Sequence, residues 1–110
     1  MEELIKNVEK SEIIRLADKV AYESGRVASL TLAQRPGVGM TVMAFDENEG
    51  VSTHAAPGDA LVYILEGKAS ITINNKEYIL EAGESVVMPC GAPHSVKAVT
   101  KFKMLLTVVK

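Results

Sequence analysis

Two imidazoles, one thiol and a carboxylate in a turn are the side chains of this sequence with the most chemistry to offer. The only histidines are His54 and His94, and imidazole is both the commonest metal ligand and the side chain that titrates nearest neutrality. His54 stands in "GVSTHAAPGDALVYILEG", Gly50 to Gly67, where Ala56 and Ala60 occupy places that further ligands could have taken. Asp59 sits in the turn of the same stretch, and His94 ends "PCGAPH". Cys90 is the only cysteine, so an internal disulfide and a multi-cysteine zinc site are both excluded. A lone free thiol is expected to be buried as a small apolar side chain.

The elements that must position these groups read as strands. After Gly25, Arg26–Gln34 and Gly39–Phe45 are short, alternating and rich in β-branched residues, and "RPGVG" separates them. Asp46–Gly50 is an acidic loop. Asp59–Leu65, Ala69–Ile73, Glu77–Leu80, Ser85–Met88, His94–Val99 and Lys101–Val109 follow, with turn residues between them. "INNKEYI" is the clearest hairpin, because two asparagines tolerate positive φ between alternating flanks. About eight strands without intervening helices predict an all-β antiparallel barrel or sandwich.

Alternation also assigns faces. In "TKFKMLLTVV", Phe102, Met104, Leu106 and Val108 share the face expected to form core, and Lys101 and Lys103 share the other. Asp59–Leu65 is apolar on both faces after its first residue, which predicts a cover for its outer side; a partner subunit is the simplest one. Residues 1–25 form an N-terminal arm, whose apolar spacing at Leu4, Ile5, Val8, Ile13, Ile14 and Leu16, with Ser11 as N-cap, permits a short helix. An extended arm or a strand swapped into a dimer fits the same stretch.

With 110 residues, the chain has the length of one domain. A net charge of −2 with mixed signs provides no basic stripe for a phosphate backbone, so nucleic acid is not an expected partner. The start "MEELIKNVEK" lacks the apolar core of a secretory signal, and no apolar run is long enough to span a bilayer. A cytoplasmic location without membrane contact is therefore expected.

The motifs resemble those of a small single-domain cupin of the RmlC-like superfamily, over roughly residues 26–110. The second cupin motif, G-x5-P-x-G-x2-H-x3-N, is followed by Gly83, Pro89, Gly91 and His94, with Ala98 where asparagine is usual. The first, G-x5-H-x-H-x3-4-E-x6-G, is anchored by "LVYILEG" and Gly67; counting back puts His54 at the first histidine, Ala56 at the second and Ala60 at the glutamate. The resemblance implies a jelly-roll-like double-stranded β-helix with ligands projecting into the bore, and commonly a homodimer. It leaves function open, because this fold hosts many chemistries.

On that alignment His54 and His94 are the retained half of a metal site. They are expected to hold one divalent transition metal, Zn, Fe, Mn, Ni or Cu, with Asp59 as a possible further ligand if a bulge turns it inward. Otherwise Asp59 is a turn residue that caps its own loop. Ala56 and Ala60 leave room, and Met88, with Met40 or Met43, is placed to line a pocket for a small, partly apolar ligand or substrate. Two readings stay open: a metal-dependent enzyme acting on a small metabolite, and a non-catalytic binding or sensory module with a degenerate, metal-free site. Metal-free acid–base chemistry with Tyr63 or Tyr78 is disfavoured, because Tyr63 shares parity with Leu61 and Leu65 and points out of the bore.

Overall fold

The computed structural model describes residues 3–110. Among these, a four-residue turn of 3-10 helix, Leu16–Lys19, precedes nine strands. The strands are β1 (Val27–Arg35), β2 (Val38–Phe45), β3 (Gly50–His54), β4 (Asp59–Glu66), β5 (Lys68–Ile73), β6 (Lys76–Glu81), β7 (Ser85–Met88), β8 (His94–Ala98) and β9 (Phe102–Val109). They form two antiparallel sheets, one of five strands in the order β1-β2-β9-β4-β7 and one of four in the order β3-β8-β5-β6. This is an all-β, jelly-roll-like arrangement. The β5–β6 hairpin turns at Asn74 and Asn75, with φ of 49° and 69°, the positive values that a two-residue type I′ turn needs.

The core lies between the sheets and follows the pleat. On β9, Phe102 and Met104 are buried, and Leu106 and Val108 pack against the same cluster, as alternation requires. On β4 the inward residues are Ala60, Val62 and Ile64, each buried, while Leu61 and Tyr63 face outward. Register aligns the two strands in layers: Ala60 opposite Val108, Val62 opposite Leu106, Ile64 opposite Met104. Phe45 pairs with Phe102 across β2 and β9, and their rings stack with centroids 4.4 Å apart.

A second apolar cluster covers the outer face of the five-stranded sheet. Val8, Leu16, Val20 and Tyr22, all from the segment before β1, pack on Ala28, Leu32, Val42, Ala44 and Leu105. Lys6 N–H donates to the Leu32 carbonyl at 2.8 Å, and the Asn7 side-chain amide donates to that of Thr31 at 2.7 Å. The segment is therefore held along the sheet, and its one regular element is the 3-10 turn. Positive φ at Asn7 and Ser11 breaks the helical path that the apolar spacing permitted, and Ser11 caps no helix. Met1 and Glu2, the first residues of the expected arm, lie outside the described residues.

This packing also supplies part of the cover expected on the outer side of β4. Leu65 is covered by the chain's own N-terminal segment, whereas Leu61 and Tyr63 remain exposed. Lys103 is buried on the same outer face; its Nζ donates to the Ala17 carbonyl and lies 4.8 Å from the centre of the Tyr22 ring. Tyr22 in turn donates its hydroxyl to Glu66 at 2.7 Å. Burial, then the carboxylate it bonds, raises the Tyr22 pKa well above the usual phenol value. Among the described residues no helix is long and apolar enough to cross a membrane.

Candidate functional site

His54 ends β3 and His94 begins β8, and the two strands pair so that these residues stand directly opposite each other. The pairing depends on an irregularity. Val51 faces Val96 and His54 faces His94, three residues along β3 against two along β8, so β3 carries one extra residue. A regular strand with Val51 inside would put Thr53 on the inner face and turn His54 away. The bulge restores His54 to the bore.

The two rings meet edge to face, with centroids 4.4 Å apart and Nε2 atoms at 3.2 Å. Each ring is oriented the same way from behind. Nδ1 of His54 lies 3.0 Å from the Ser52 carbonyl and Nδ1 of His94 lies 3.1 Å from the Ala92 carbonyl. A carbonyl oxygen can only accept, so both Nδ1 atoms carry the proton in these hydrogen bonds. In the neutral rings both Nε2 atoms then present lone pairs to each other, a repulsive contact unless a cation or a proton is shared between them.

That arrangement fits a metal. Metal-bound imidazoles generally donate their other ring N–H to a carbonyl or carboxylate, which fixes tautomer and orientation. With nitrogens 3.2 Å apart, a metal at about 2.1 Å from each would subtend an angle of about 100°, between octahedral and tetrahedral values. The protein donor set stops at two, since among the described residues no group of three or more His, Cys, Asp and Glu is placed to hold a metal. His94 is 3% exposed, whereas His54 is open to solvent. Burial lowers the His94 pKa; the Ala92 carbonyl raises it and the neighbouring His54 lowers it, by smaller amounts.

Asp59 takes no part in this pair. It is exposed, and its Oδ1 accepts the backbone N–H of Cys90 at 2.8 Å, while the inward residue of that turn is Ala60. The aspartate therefore caps the Pro89–Pro93 turn that leads into His94, rather than its own loop. Gly91 N–H donates to the Ala56 carbonyl at 3.0 Å, a second tie between the two histidine-bearing segments. Gly58 is buried here; a Cβ at this position would lie 2.3 Å from the Val109 carbonyl oxygen, so only glycine permits the approach to β9. Cys90 is exposed, contrary to the expectation for a lone thiol, because it occupies a turn outside both sheets.

The imidazoles face a cavity of about 180 Å³. Ala56, Ala60 and Met88 line it, and so does Met43 but not Met40, which lies on the outer face under the N-terminal segment. Val51, Val96, Met104, Leu106 and Val108 complete the wall. The part of the site that sequence reading misses is β3 itself. "GVSTH" is short and polar, and its bulge leaves no local signature.

The cupin domain profile matches residues 41–110. Among curated proteins no match is found. Solved structures are similar over nearly the whole chain. A conserved protein of unknown function from Streptococcus pyogenes is 41% identical, with 99% of this chain and 96% of that one covered and a TM-score of 0.96. A cupin superfamily protein from Desulfitobacterium hafniense is 28% identical, covers 96% of both chains and has a TM-score of 0.91. A cupin 2 conserved barrel domain protein from Leptotrichia buccalis is 41% identical, with 88% of this chain and 47% of that one covered and a TM-score of 0.86. The profile match, these identities and the two-sheet architecture around the histidine pair together make this chain a member of the cupin family.

Proposed function

We propose that this cupin binds one divalent transition metal through Nε2 of His54 and His94 and holds a small molecule in the adjoining cavity. The observation that carries the reading is the facing pair of Nε2 lone pairs at 3.2 Å, with both Nδ1 protons committed to carbonyls. Imidazole donors suit Zn, Fe, Ni and Cu, and Mn is admitted in mixed nitrogen and oxygen sites. Two protein ligands leave the remaining positions to water or to the bound molecule. A metal held there would supply Lewis acidity toward an oxygen or nitrogen of that molecule. His54 and His94 orient it, and the apolar wall shields it from water on the side of the bore. Asp59 supports the site from the start of β4 by holding the turn before His94, and it would ligate only if it let go of Cys90 N–H.

Metal analysis of freshly purified protein tests the reading. About one equivalent per chain is expected for the wild type and none for the His54→Ala, His94→Ala double variant; equal content in both overturns it. The same lone-pair contact is relieved by one proton shared between the rings, which favours a metal-free binding module as the second reading. In that case wild type and double variant carry equally little metal.

We further propose a homodimer to which the segment before β1 contributes. Ile13 is fully exposed, as in an extended chain, and Leu4, Leu61, Tyr63 and Val87 are also open to solvent in the single chain. Sedimentation equilibrium should give twice the chain mass, and a monomer mass would refute it.

A further inference from the structure

The cavity beside the histidine pair is small and selective in a way that points to the chemistry of its occupant. An apolar cavity of about 150 Å³ accepts benzene. At about 180 Å³, this one accommodates a six-membered ring with one or two further atoms. Among the described residues eleven line it, and all but His54 and His94 are apolar. Among the described residues no lysine, arginine, hydroxyl or amide side chain lines it, so a carboxylate would be desolvated without a counter-charge and a polyol would lose its hydrogen bonds to water unreplaced.

Among the described lining residues the polar side-chain atoms are those of the two imidazoles, whose Nε2 atoms are acceptors because the Nδ1 protons point away. A single hydroxyl engages that pair whether or not a metal is present, with its one proton shared between the two acceptors in the free site. In the free site its O–H donates to Nε2; with a metal bound, its oxygen lone pair becomes the donor. Polar side chains begin only outside. A shallower concavity shares Ala56, Leu106 and Val108 with the cavity and adds Gln34, Thr41 and Lys110.

We propose that the cavity takes a monohydroxylated hydrocarbon of about benzene size, a simple phenol or cyclic alcohol, with the hydroxyl at His54 and His94 and the ring against Ala60, Met88 and Met104. This deepens the small-molecule reading above; the hydrocarbon part does not depend on the metal.

Paired probes test it on the chelator-treated and the metal-loaded protein, by calorimetry or by amide chemical-shift titration. Phenol and cyclohexanol should bind saturably, at least about tenfold more tightly than benzoate and myo-inositol, which keep the ring size but add charge or hydroxyls. Ala60→Leu fills the buried end of the cavity and should abolish phenol binding. Ala56→Leu, at a half-buried position less demanding of the fold, should weaken it at least about tenfold by the same loss of space. Equal or tighter binding of benzoate or myo-inositol overturns the proposal, as does phenol binding that both variants leave unchanged. If the protein takes up no metal but phenol binds and the variants lose it, the metal reading falls and this one stands. Metal uptake with no phenol binding in either form has the opposite result.

Discussion

The two ends of the bore are built from the same strands and differ in side-chain size. Along β4 the inward residues shrink from Ile64 through Val62 to Ala60, and along β9 from Phe102 through Met104 and Leu106 to Val108. The layers are in register, so small meets small at one end and large meets large at the other. Phe45 and Phe102 stack to close the large end, whereas the small end keeps a cavity of about 180 Å³ beside His54 and His94. A close-packed interior forfeits contacts wherever a void remains. The closed end therefore holds the sheets together, and the open end gives up packing and keeps space beside the two histidines.

Substitutions at the two ends should separate these roles, and the largest effect belongs to the closed one. Phe102→Ala removes a fully buried ring from the stack and should cost about 3–5 kcal/mol in urea unfolding. Val108→Ala, on the same face of the same strand but against the cavity, should cost less than about 1 kcal/mol. Comparable losses would refute the division. The next effect acts on register. Deleting Thr53 removes the extra residue of β3 and leaves His54 two residues past Val51, on the inner face of a regular strand and still opposite His94, so metal affinity should stay within about tenfold, with little change in the circular dichroism of the sheets. A fall of about 100-fold or more would show that the bulge's own geometry, and not the count of residues from Val51, aims His54.

What the sequence discloses follows the same division. Strands whose two faces meet different surroundings announce themselves by alternation, as β9 does with Phe102, Met104, Leu106 and Val108. The β5–β6 hairpin is legible because positive φ restricts the residues at its turn, and two asparagines meet that need. The motif spacing around Gly83, Pro89, Gly91 and His94 locates the second half of the site. β3 is different, since "GVSTH" has four exposed residues and no apolar face to read. Its register comes from the partner strand β8, and the bulge that pairs His54 with His94 is a tertiary outcome. The N-terminal segment shows the converse: its apolar spacing leaves a short helix and an extended arm both open, and packing of Val8, Leu16 and Val20 on the sheet selects a mostly irregular path with one 3-10 turn.

The smaller effects concern how the open end is kept ready. Burial lowers the His94 pKa, so the unfolded chain binds the proton more readily than the folded one. Stability from this group is fully present above the unfolded imidazole pKa, about 6.5, and is lost as pH falls through that value toward the lowered folded pKa. The urea midpoint of the metal-free protein should therefore drop between about pH 7 and pH 5, and His94→Gln should flatten the drop. A midpoint that rises on acidification would show that the pair gains a shared proton more readily on folding, the opposite sign.

Asp59 provides the last and smallest contrast, between holding a ligand and being one. Its carboxylate accepts the Cys90 N–H from an exposed position, so Asp59→Asn, which keeps an acceptor oxygen, should cost under about 1 kcal/mol of stability, and Asp59→Ala about 1 kcal/mol. The two variants discriminate its roles through metal binding. If Asp59 acts only by fixing the Pro89–Pro93 turn, Asn should keep most of the metal affinity and Ala should lose part of it, within the 10-fold to 100-fold range of about 1.4–2.7 kcal/mol seen for groups that orient ligands. If it swings inward to coordinate, Asn and Ala should fall together, because an amide oxygen replaces an anionic donor poorly. The hydrogen bond to Cys90 favours the first outcome, since releasing it would free the very turn that presents His94.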